Sequence, residues 1–437
     1  MGAITKFINK FLLSCFSFFL IFSCGEDRTS EYEELTACDH WMTDVMRANY
    51  LWGDSIKIDN IPWKSYFNTP QKFFSTLIGF APINDHWSWC SLDTLDEDYH
   101  QRGFFNHLDS YGLDFILMTD PTGKTSKQYA RVKTVIQGSP ADRAGLGRGD
   151  FIGSVDEIRI SSSNTSYLVS GKARKLIVNK LDVNQEENEF FWCDEDTIFM
   201  EKSEYVEDIP FPILVYFHLN NKNIAYLMCN RLTSGPIEKD NYAHNYIDDM
   251  KTIAQKIKEQ KPNVLILDLR LCNNGDMDCA NLLASYIIGS KGHNKIFAKT
   301  IFNKNNEENN KSYFFIEEAI NNGIEPNTVF VITSKSTAGP AEWLIRSLYN
   351  TIGSNNVFVV GESTEGQVVM TKTINSNYYV SLHPAVAYVA DENGDYDYKN
   401  GIAPDVEINE MSYIHLYPYG DEKEIILSYI LNELLFY

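Results

Sequence analysis

The pattern of apolar and polar positions divides the chain into four stretches. The first is an unbroken apolar run near the N-terminus, FLLSCFSFFLIF. The second, from about residue 31 to 100, carries apolar side chains at helical spacing, which predicts a small helical domain with an aromatic core. Its two predicted helical faces are formed by Trp41, Val45, Ala48 and Trp52, and by Phe73, Phe74, Leu77 and Ile78.

The third stretch, from about residue 103 to 205, is a series of short apolar runs typical of strands. YGLDFILM and YARVKTVI flank the polar turn TDPTGKT, in which Pro and Gly take turn positions. The following segment, SPADRAGLGRGDFI, has Ser-Pro at the start of a short helix and Gly145 at its end, before another strand. This order predicts a compact β domain.

In the fourth stretch, from about residue 206 onward, strands and helices alternate, which predicts an α/β domain. AYLMCN, VLILDL, TVFVIT and VFVVG are the predicted strands, and VLILDL has the near-continuous apolar pattern of a strand buried on both faces. The predicted helical faces contain Tyr246, Met250, Ile253 and Ile257; Leu282, Leu283, Tyr286 and Ile287; and Leu344, Ile345 and Leu348. We expect FNKNNEENNKS to be a solvated loop.

The apolar N-terminal run is shorter than the about 20 residues that span a bilayer comfortably, so it predicts a targeting segment. Lys6 and Lys10 precede it, and Cys24 follows with an apolar residue three positions earlier and small neighbours. This resembles a bacterial lipoprotein signal, which implies cleavage after residue 23 and a lipid on Cys24. A plain secretory signal with a chance cysteine is the alternative. We expect a lipoprotein of the cell envelope, in the outer membrane on its periplasmic or surface face.

Charge and cysteine usage narrow the functional classes. The 38 basic and 59 acidic residues leave a formal charge of −21, which repels nucleic acid phosphates and anionic lipid. We therefore expect no nucleic acid partner. The cysteines form no C-x-x-C pair and no histidine has zinc-finger spacing, so neither a metal nor another cofactor is expected. Cys38 and Cys90 are a candidate disulfide, since export would permit one.

Four motifs occur in an order that resembles one family: VLILDLR, STAGPAE, VVGESTEGQ and GIAPD. They resemble the C-terminal processing peptidases (tail-specific proteases), serine peptidases with a PDZ domain and a Ser–Lys dyad. The helical part with its YLW motif resembles the exported lipoprotein branch. The resemblance implies a multidomain α+β fold with a ClpP/crotonase-like α/β core. The domains we expect are a signal peptide at 1–23, a tether and helical domain at 24–102, a PDZ-like domain at 103–205 and the peptidase-like domain at 206–437.

The SPADRAGLGRGDFI segment resembles a PDZ domain, a fold in which a peptide C-terminus adds as a strand to a sheet edge. The resemblance implies a peptide-binding stretch at Tyr111, Gly112, Leu113 and Phe115, where Gly112 would let the ligand backbone approach. Asp114 would weaken carboxylate binding if it pointed inward. The alternative is a PDZ fold that acts only as a structural clamp.

The catalytic positions depart from the family pattern. The family turn S-T-A-S-A-S-E places its nucleophile where this chain has Gly339, and the next residue, an oxyanion donor in the family, is Pro340, which has no N–H. The dyad lysine is replaced by Gln367, a neutral amide that cannot act as a base near neutral pH. The other oxyanion run reads Asn273, Asn274 and Gly275, and asparagine tolerates left-handed backbone geometry, so we expect its shape to persist.

The leading hypothesis is therefore a lipid-anchored pseudopeptidase that binds extended peptides or protein C-termini. One alternative is an active serine endopeptidase with a displaced nucleophile such as Ser336, and Ser334, Thr337 and Ser363 also lie near the turn. Another is an envelope assembly protein without a peptide ligand.

Overall fold

The structure is a computed structural model that describes residues 29–92, 109–184, 189–235 and 245–436. The predicted signal segment and Cys24 lie outside these ranges, as does the expected domain boundary at 102/103. No helix within the described ranges is long and apolar enough to cross a membrane.

The N-terminal region is helical, as predicted. It comprises α1 (Thr29–Asn49), three 3₁₀ helices (Gly53–Ser55, Ile58–Asn60 and Trp63–Phe67), α2 (Pro70–Ile78) and the strand β1 (Trp89–Leu92). The buried face of α2, with Phe73, Phe74 and Leu77, is confirmed.

The predicted face of α1 is wrong by one position. Met42 and Met46 are fully buried, whereas Trp41 and Val45 are half-buried and Ala48 is exposed. Apolar residues occupy both adjacent rows of this helix, so spacing alone cannot choose between them. Packing against the core selects the buried row, and the core accommodates the flexible, unbranched side chains of Met42 and Met46. Trp52 lies beyond the helix end.

The β domain begins at residue 109 of the described chain. Its elements are β2 (Asp109–Ser110), β3 (Leu113–Thr119), β4 (Gln128–Val135), α3 (Pro140–Arg143), β5 (Phe151–Val155), β6 (Ile158–Arg159), β7 (Arg174–Asn184), β8 (Glu189–Met200) and β9 (Glu204–Tyr205). The antiparallel sheet has the order β3-β4-β5-β7-β8, so β3 is an edge strand. The predicted helix start is confirmed, because the Ser139 hydroxyl accepts the Asp142 N–H.

The third region alternates strands and helices. Its elements are β10 (Ile213–Leu219), β11 (Lys222–Met228), α4 (Tyr246–Glu259), β12 (Val264–Asp268), α5 (Met277–Ile288), β13 (Ile296–Phe302), β14 (Lys311–Phe314), α6 (Glu317–Ile320), β15 (Thr328–Thr333), α7 (Pro340–Ile352), β16 (Val357–Gly361), β17 (Val369–Thr371), β18 (Ile374–Asn375), β19 (Val380–His383), β20 (Ala385–Ala390), β21 (Val406–Glu407) and α8 (Ile425–Asn432). The main sheet has the order β10-β11-β12-β15-β16-β21, and all neighbours from β11 to β21 are parallel.

The strand β12 is buried on both faces, as its apolar pattern predicted. Leu265 and Leu267 face a core that includes residues of α5 and α7, and Val264 and Ile266 face a second core closed by α8. The strand TVFVIT coincides with β15 and VFVVG with β16.

The expectation of a solvated loop at FNKNNEENNKS is wrong in part. Residues Lys304–Asn309 form a 3₁₀ helix, and β14 follows it. The Asn303 amide donates to the Tyr50 carbonyl and the Asn306 amide to the Ala48 carbonyl. These amides cap the C-terminal end of α1. The spacing of polar residues in the sequence does not predict such contacts with a distant helix.

The helical region is joined to the α/β region through both sheet and core. β1 pairs with β19, and Met42, Met46 and Phe73 belong to the same apolar core as Leu265 and Leu267.

A buried charged cluster connects the β domain to the α/β region. Arg270, 1% exposed, pairs with Asp268, Glu424 and Glu410, and the first two contacts are both 2.8 Å. Arg148 of the β domain reaches the same Glu410 at 2.5 Å. We call these five residues the Arg270 cluster. The guanidinium carbon of Arg148 also lies 4.0 Å from the centre of the Tyr419 ring, so a cation–π contact adds to the ion pairs of this cluster.

Removing the central cation should destabilise the whole chain. In Arg270→Met, three carboxylates would stay buried without their shared guanidinium, and we expect the free energy of unfolding to fall by about 3–5 kcal/mol. Burial alone would raise the pKa of Glu410, but Arg270 and Arg148 hold that pKa below its ordinary value. This contribution is therefore present above the ordinary glutamate pKa, about 4.3, and is lost as pH falls further.

Urea denaturation at pH 7 and at pH 4 measures both effects. Arg143→Met is the matched control, because Arg143 pairs with exposed Glu201 and Glu204 and should be dispensable. Equal stability of Arg270→Met and the unmodified chain at pH 7 would contradict the assigned role.

Candidate functional site

The candidate site begins at the turn between β15 and α7, at the carboxyl edge of the parallel sheet. Gly339 is the N-cap of α7, with φ +52° and ψ −111°, a backbone conformation that side-chain-bearing residues rarely adopt. Pro340 is the first helical residue, where the missing N–H is tolerated. The predicted strand, turn and helix are confirmed.

The hydroxyls of this turn hold its shape. The Ser334 hydroxyl donates to the Arg270 carbonyl at 2.6 Å, and the Thr337 hydroxyl donates to the Leu269 carbonyl at 2.9 Å. Each also accepts a backbone N–H of the turn itself, from Ser336 and Ser334 respectively. These two side chains therefore tie the turn to the end of β12.

Ser336 has a different environment. It is half-buried and lines a small cavity of about 60 Å³ together with Lys133, Arg231 and Asn273. Among the residues that the structure describes, its hydroxyl makes no hydrogen bond to an amine or an imidazole. A displaced dyad at Ser336, considered from the sequence, therefore has no hydrogen-bonded base among the described residues.

Gly339 and Gln367 face each other. A Cβ atom placed on Gly339 would lie 3.2 Å from Cδ and Oε1 of Gln367 and 3.4 Å from its Nε2. The Gln367 amide nitrogen donates to the Val369 carbonyl at 3.3 Å. The two positions that the resemblance assigned to nucleophile and base are thus neighbours in space, and they carry a hydrogen atom and a neutral amide.

A buried carboxylate holds these two positions together. Glu342 Oε2 accepts the N–H groups of Gly339 and Gln367 at 2.9 and 2.8 Å. Its Oε1 accepts the Gly366 N–H at 2.7 Å and the Thr364 hydroxyl at 2.5 Å. Burial raises the pKa of Glu342 to about 7, and these four donors oppose that rise by favouring the charged form. The carboxylate therefore joins the turn to residues 362–367, which we call the 362–367 loop.

The remaining oxyanion run is held by backbone pairing with Leu232. The Leu232 N–H donates to the Asn274 carbonyl at 3.2 Å, and its carbonyl accepts the Asp276 N–H at 2.8 Å. Gly275 has φ +145°, and a Cβ there would lie 2.3 Å from the Leu232 carbonyl oxygen, so only glycine fits. Asn273 and Asn274 do not have positive φ. The left-handed conformation that we expected of the asparagines is therefore found at Gly275 alone among these three residues.

Sequence reasoning missed one pair at the margin of this site. His86 Nε2 lies 3.6 Å from Glu365 Oε1, and the Glu365 N–H donates to the Thr337 carbonyl. The two side chains are far apart in the chain, and neither has a local motif that predicts their contact. The pair places the helical region beside the 362–367 loop.

The candidate disulfide is a correction, because Cys38 and Cys90 are both free. Both are half-buried, and burial raises the pKa of Cys38 with a further contribution from Asp39. Cys229, which directly follows β11, is buried and also free.

The expected peptide-binding residues contribute mainly to the core of the β domain. Tyr111, Leu113 and Phe115 are buried there. Gly112 has φ +75°, and its N–H donates to the Ser110 hydroxyl at 2.7 Å. Asp114 pairs with Lys133 at 3.2 Å, so its charge is offset within the domain.

Comparison with known proteins agrees with this architecture. Residues 223–408 match the model of peptidase family S41, and residues 37–89 match the model of the peptidase S41 N-terminal domain. A crystal structure of a candidate S41 protease from Bacteroides fragilis is similar at 28% identity, with a TM-score of 0.77 over 90% of this chain and 97% of that one.

A more distant structure shares the fold. The photosystem II D1 C-terminal processing protease is 14% identical, with a TM-score of 0.51 over 92% of this chain and 98% of that one. No curated protein matches the chain.

The role of Glu342 can be tested by removing its charge. In Glu342→Gln, whichever way the amide turns, its NH₂ group faces a backbone N–H that has lost its acceptor. We expect the free energy of unfolding to fall by about 1–3 kcal/mol, the cost of a buried unsatisfied donor. Thermal and urea denaturation measure the change.

Glu362→Gln is the control for that variant. Glu362 lies in the same loop, but its carboxylate pairs with the exposed Lys335 at 3.4 Å, so the substitution should have little effect. Equal losses in the two variants would show that the buried hydrogen bonds of Glu342 are not what holds the loop.

Proposed function

Because the chain belongs to peptidase family S41, we propose that it is a lipid-anchored pseudopeptidase that binds extended peptides or protein C-termini without cleaving them. The observation that carries the proposal is the facing pair of Gly339 and Gln367. The positions are in contact distance, yet one lacks a hydroxyl and the other lacks a basic nitrogen.

Serine peptidase chemistry needs a hydroxyl whose proton passes to a base as its oxygen attacks the peptide carbonyl. The hydroxyls of Ser334 and Thr337 already donate to backbone carbonyls. Lys335, the amine nearest in sequence, is 79% exposed and paired with Glu362, whereas a lysine base needs burial. These observations favour loss of activity over a displaced dyad.

An oxyanion would also lack part of its stabilisation. Pro340 offers no N–H where the family uses a donor, and the Gly339 N–H is directed to Glu342. Losing oxyanion donors and nucleophile together removes most of the rate of such a site.

We propose that the β domain is PDZ-like and that its edge strand β3 takes up the peptide. Among the described strands, β3 pairs only with β4, so its other edge can hydrogen-bond an added strand. Ile116 is half-buried on this strand, and it suits apolar ligand side chains. Such binding does not require the Gly112 N–H, which Ser110 occupies.

The lipid anchor is supported by the sequence around Cys24, which lies five residues before α1 begins. We propose that this cysteine carries the lipid and holds the protein at the bacterial cell envelope.

The protein should bind peptides and not hydrolyse them. We expect no cleavage of unfolded casein or of peptides with apolar C-termini over a day, and saturable binding of some of these peptides in a fluorescence-anisotropy titration. Ile116→Asp should weaken that binding about tenfold, because a carboxylate would replace the apolar contact that Ile116 offers to ligand side chains on the same face of the sheet. Ile158→Asp, at an exposed position on β6, is the matched control.

Cleavage that Ser336→Ala or Ser363→Ala abolishes would replace this proposal with the active endopeptidase. The absence of saturable binding at millimolar peptide would favour an assembly protein without a peptide ligand.

The catalytic set should be partly restorable. In the triple variant Gly339→Ser, Pro340→Ala and Gln367→Lys, the new hydroxyl and amine would lie side by side, and we expect slow peptide hydrolysis to appear. The strained φ at residue 339 should cost about 1–3 kcal/mol of stability.

The double variant that keeps Gly339 is the control, since it has the base and the donor N–H but no nucleophile. An inert triple variant that folds would show that the cleft has changed beyond these three positions.

A further inference from the structure

The helical region exposes an unusual set of large apolar side chains. Tyr32 and Leu35 on α1 are 52% and 74% exposed, and Trp63 and Phe67 on the third 3₁₀ helix are 69% and 56% exposed. We call these four residues the aromatic face. We infer that the aromatic face lies in the interfacial region of a lipid bilayer with zwitterionic headgroups. This inference rests on the lipid anchor proposed above.

Three of the four side chains contact one another, and the fourth lies on the same side of α1. The Tyr32 and Phe67 rings meet edge to face with centroids 6.0 Å apart, and the Trp63 and Phe67 rings do so at 5.9 Å. Leu35 follows Tyr32 by three residues, so both lie on one side of α1. A groove of about 430 Å³ opens between the two helices, lined by Tyr32, Glu33, Thr36, His40, Trp63, Tyr66 and Phe67.

The chemistry of this surface suits the bilayer interface. Tyrosine and tryptophan combine an apolar ring with a polar group, and both concentrate at the headgroup level of membranes. Exposed apolar side chains scattered singly need no partner, but a contiguous patch marks an interaction surface. The edge-to-face contacts leave the outer surfaces of the Trp63 and Phe67 rings in solvent.

The position of the aromatic face decides which partner it meets. Tyr32 lies in the first turn of α1, and α1 begins at Thr29, five residues after Cys24. Five residues span at most about 18 Å when fully extended. A lipid on Cys24 would therefore keep the start of α1 within that distance of the membrane, whichever way the rest of the chain turns.

Charge selects the type of lipid. In the sequence, Glu26, Asp27 and Arg28 precede α1 and Glu33 lies within it, and the whole chain carries a formal charge of −21. The ammonium group of Lys64 lies 5.7 Å from the centre of the Trp63 ring and is one cation against these acids. An anionic surface would repel this region, whereas zwitterionic headgroups would not.

Vesicle binding tests the inference without the anchor. The chain from residue 25 onward retains every described residue and lacks the lipid, which would bind vesicles by itself. We expect it to cosediment weakly with phosphatidylethanolamine and phosphatidylcholine vesicles, and less with vesicles that contain phosphatidylglycerol. Trp63→Ser and Phe67→Ser should each lower the partition coefficient about fivefold, because each removes one inserted ring.

Phe314→Ser is the matched control, since Phe314 has the same 56% exposure as Phe67 but lies on β14. It should leave vesicle binding unchanged. Vesicles with bromine-labelled acyl chains should quench part of the tryptophan fluorescence of the unmodified chain. That quenching should be absent in Trp63→Phe. Absence of vesicle binding would overturn the inference, as would equal losses in Phe67→Ser and Phe314→Ser.

Two further outcomes would also overturn it. Self-association in the absence of lipid that Phe67→Ser abolishes would assign the aromatic face to a second copy of the chain. Binding to phosphatidylcholine alone, displaced by tetramethylammonium, would assign it to a cation pocket. The anchor has its own test, since Cys24→Ser should abolish incorporation of labelled palmitate in cells, whatever the vesicles show.

Discussion

The Arg270 cluster is the interaction on which the arrangement of the site depends. The arginine follows β12 by two residues, and its side chain gathers carboxylates from three parts of the chain, together with Arg148 of the β domain. Its carbonyl accepts the Ser334 hydroxyl, so the same residue also anchors the turn that ends at Gly339. A buried cluster of this kind contributes through its geometry, because any partner left alone would be a buried unpaired charge.

The hydrogen bonds that shape the site do not use a hydroxyl or an amine at residues 339 and 367. Glu342 joins the turn to the 362–367 loop through backbone N–H groups, which every non-proline residue supplies. Gly339 has no side chain, and the Gln367 amide donates to the Val369 carbonyl and not to Glu342, so the hydrogen bonds of Glu342 do not depend on a hydroxyl or an amine at these two positions. A peptide could still add along β3, because strand addition uses backbone groups and not the dyad.

The local apolar pattern predicted correctly those strands that are buried on both faces. β12, β15 and β16 were correctly located because strands buried on both faces are almost entirely apolar. The face of α1 was misplaced because two adjacent rows of that helix are apolar, and the underlying core selected Met42 and Met46. The polar run near residue 305 was assigned to solvent, although Asn303 and Asn306 donate to carbonyls at the end of α1.

The sequence by itself determined that Gly339 and Gln367 offer neither a hydroxyl nor a basic nitrogen, since the identity of a side chain limits its chemistry in any fold. It also determined four strands of the main sheet, β11, β12, β15 and β16, but not β10 or β21. Only the tertiary structure decided that these two positions lie in contact, that Ser336 lines a cavity with Lys133, and that His86 approaches Glu365. Each of these contacts joins residues that are distant in the chain. Tertiary packing brings such residues together, and the local spacing of residues does not predict it.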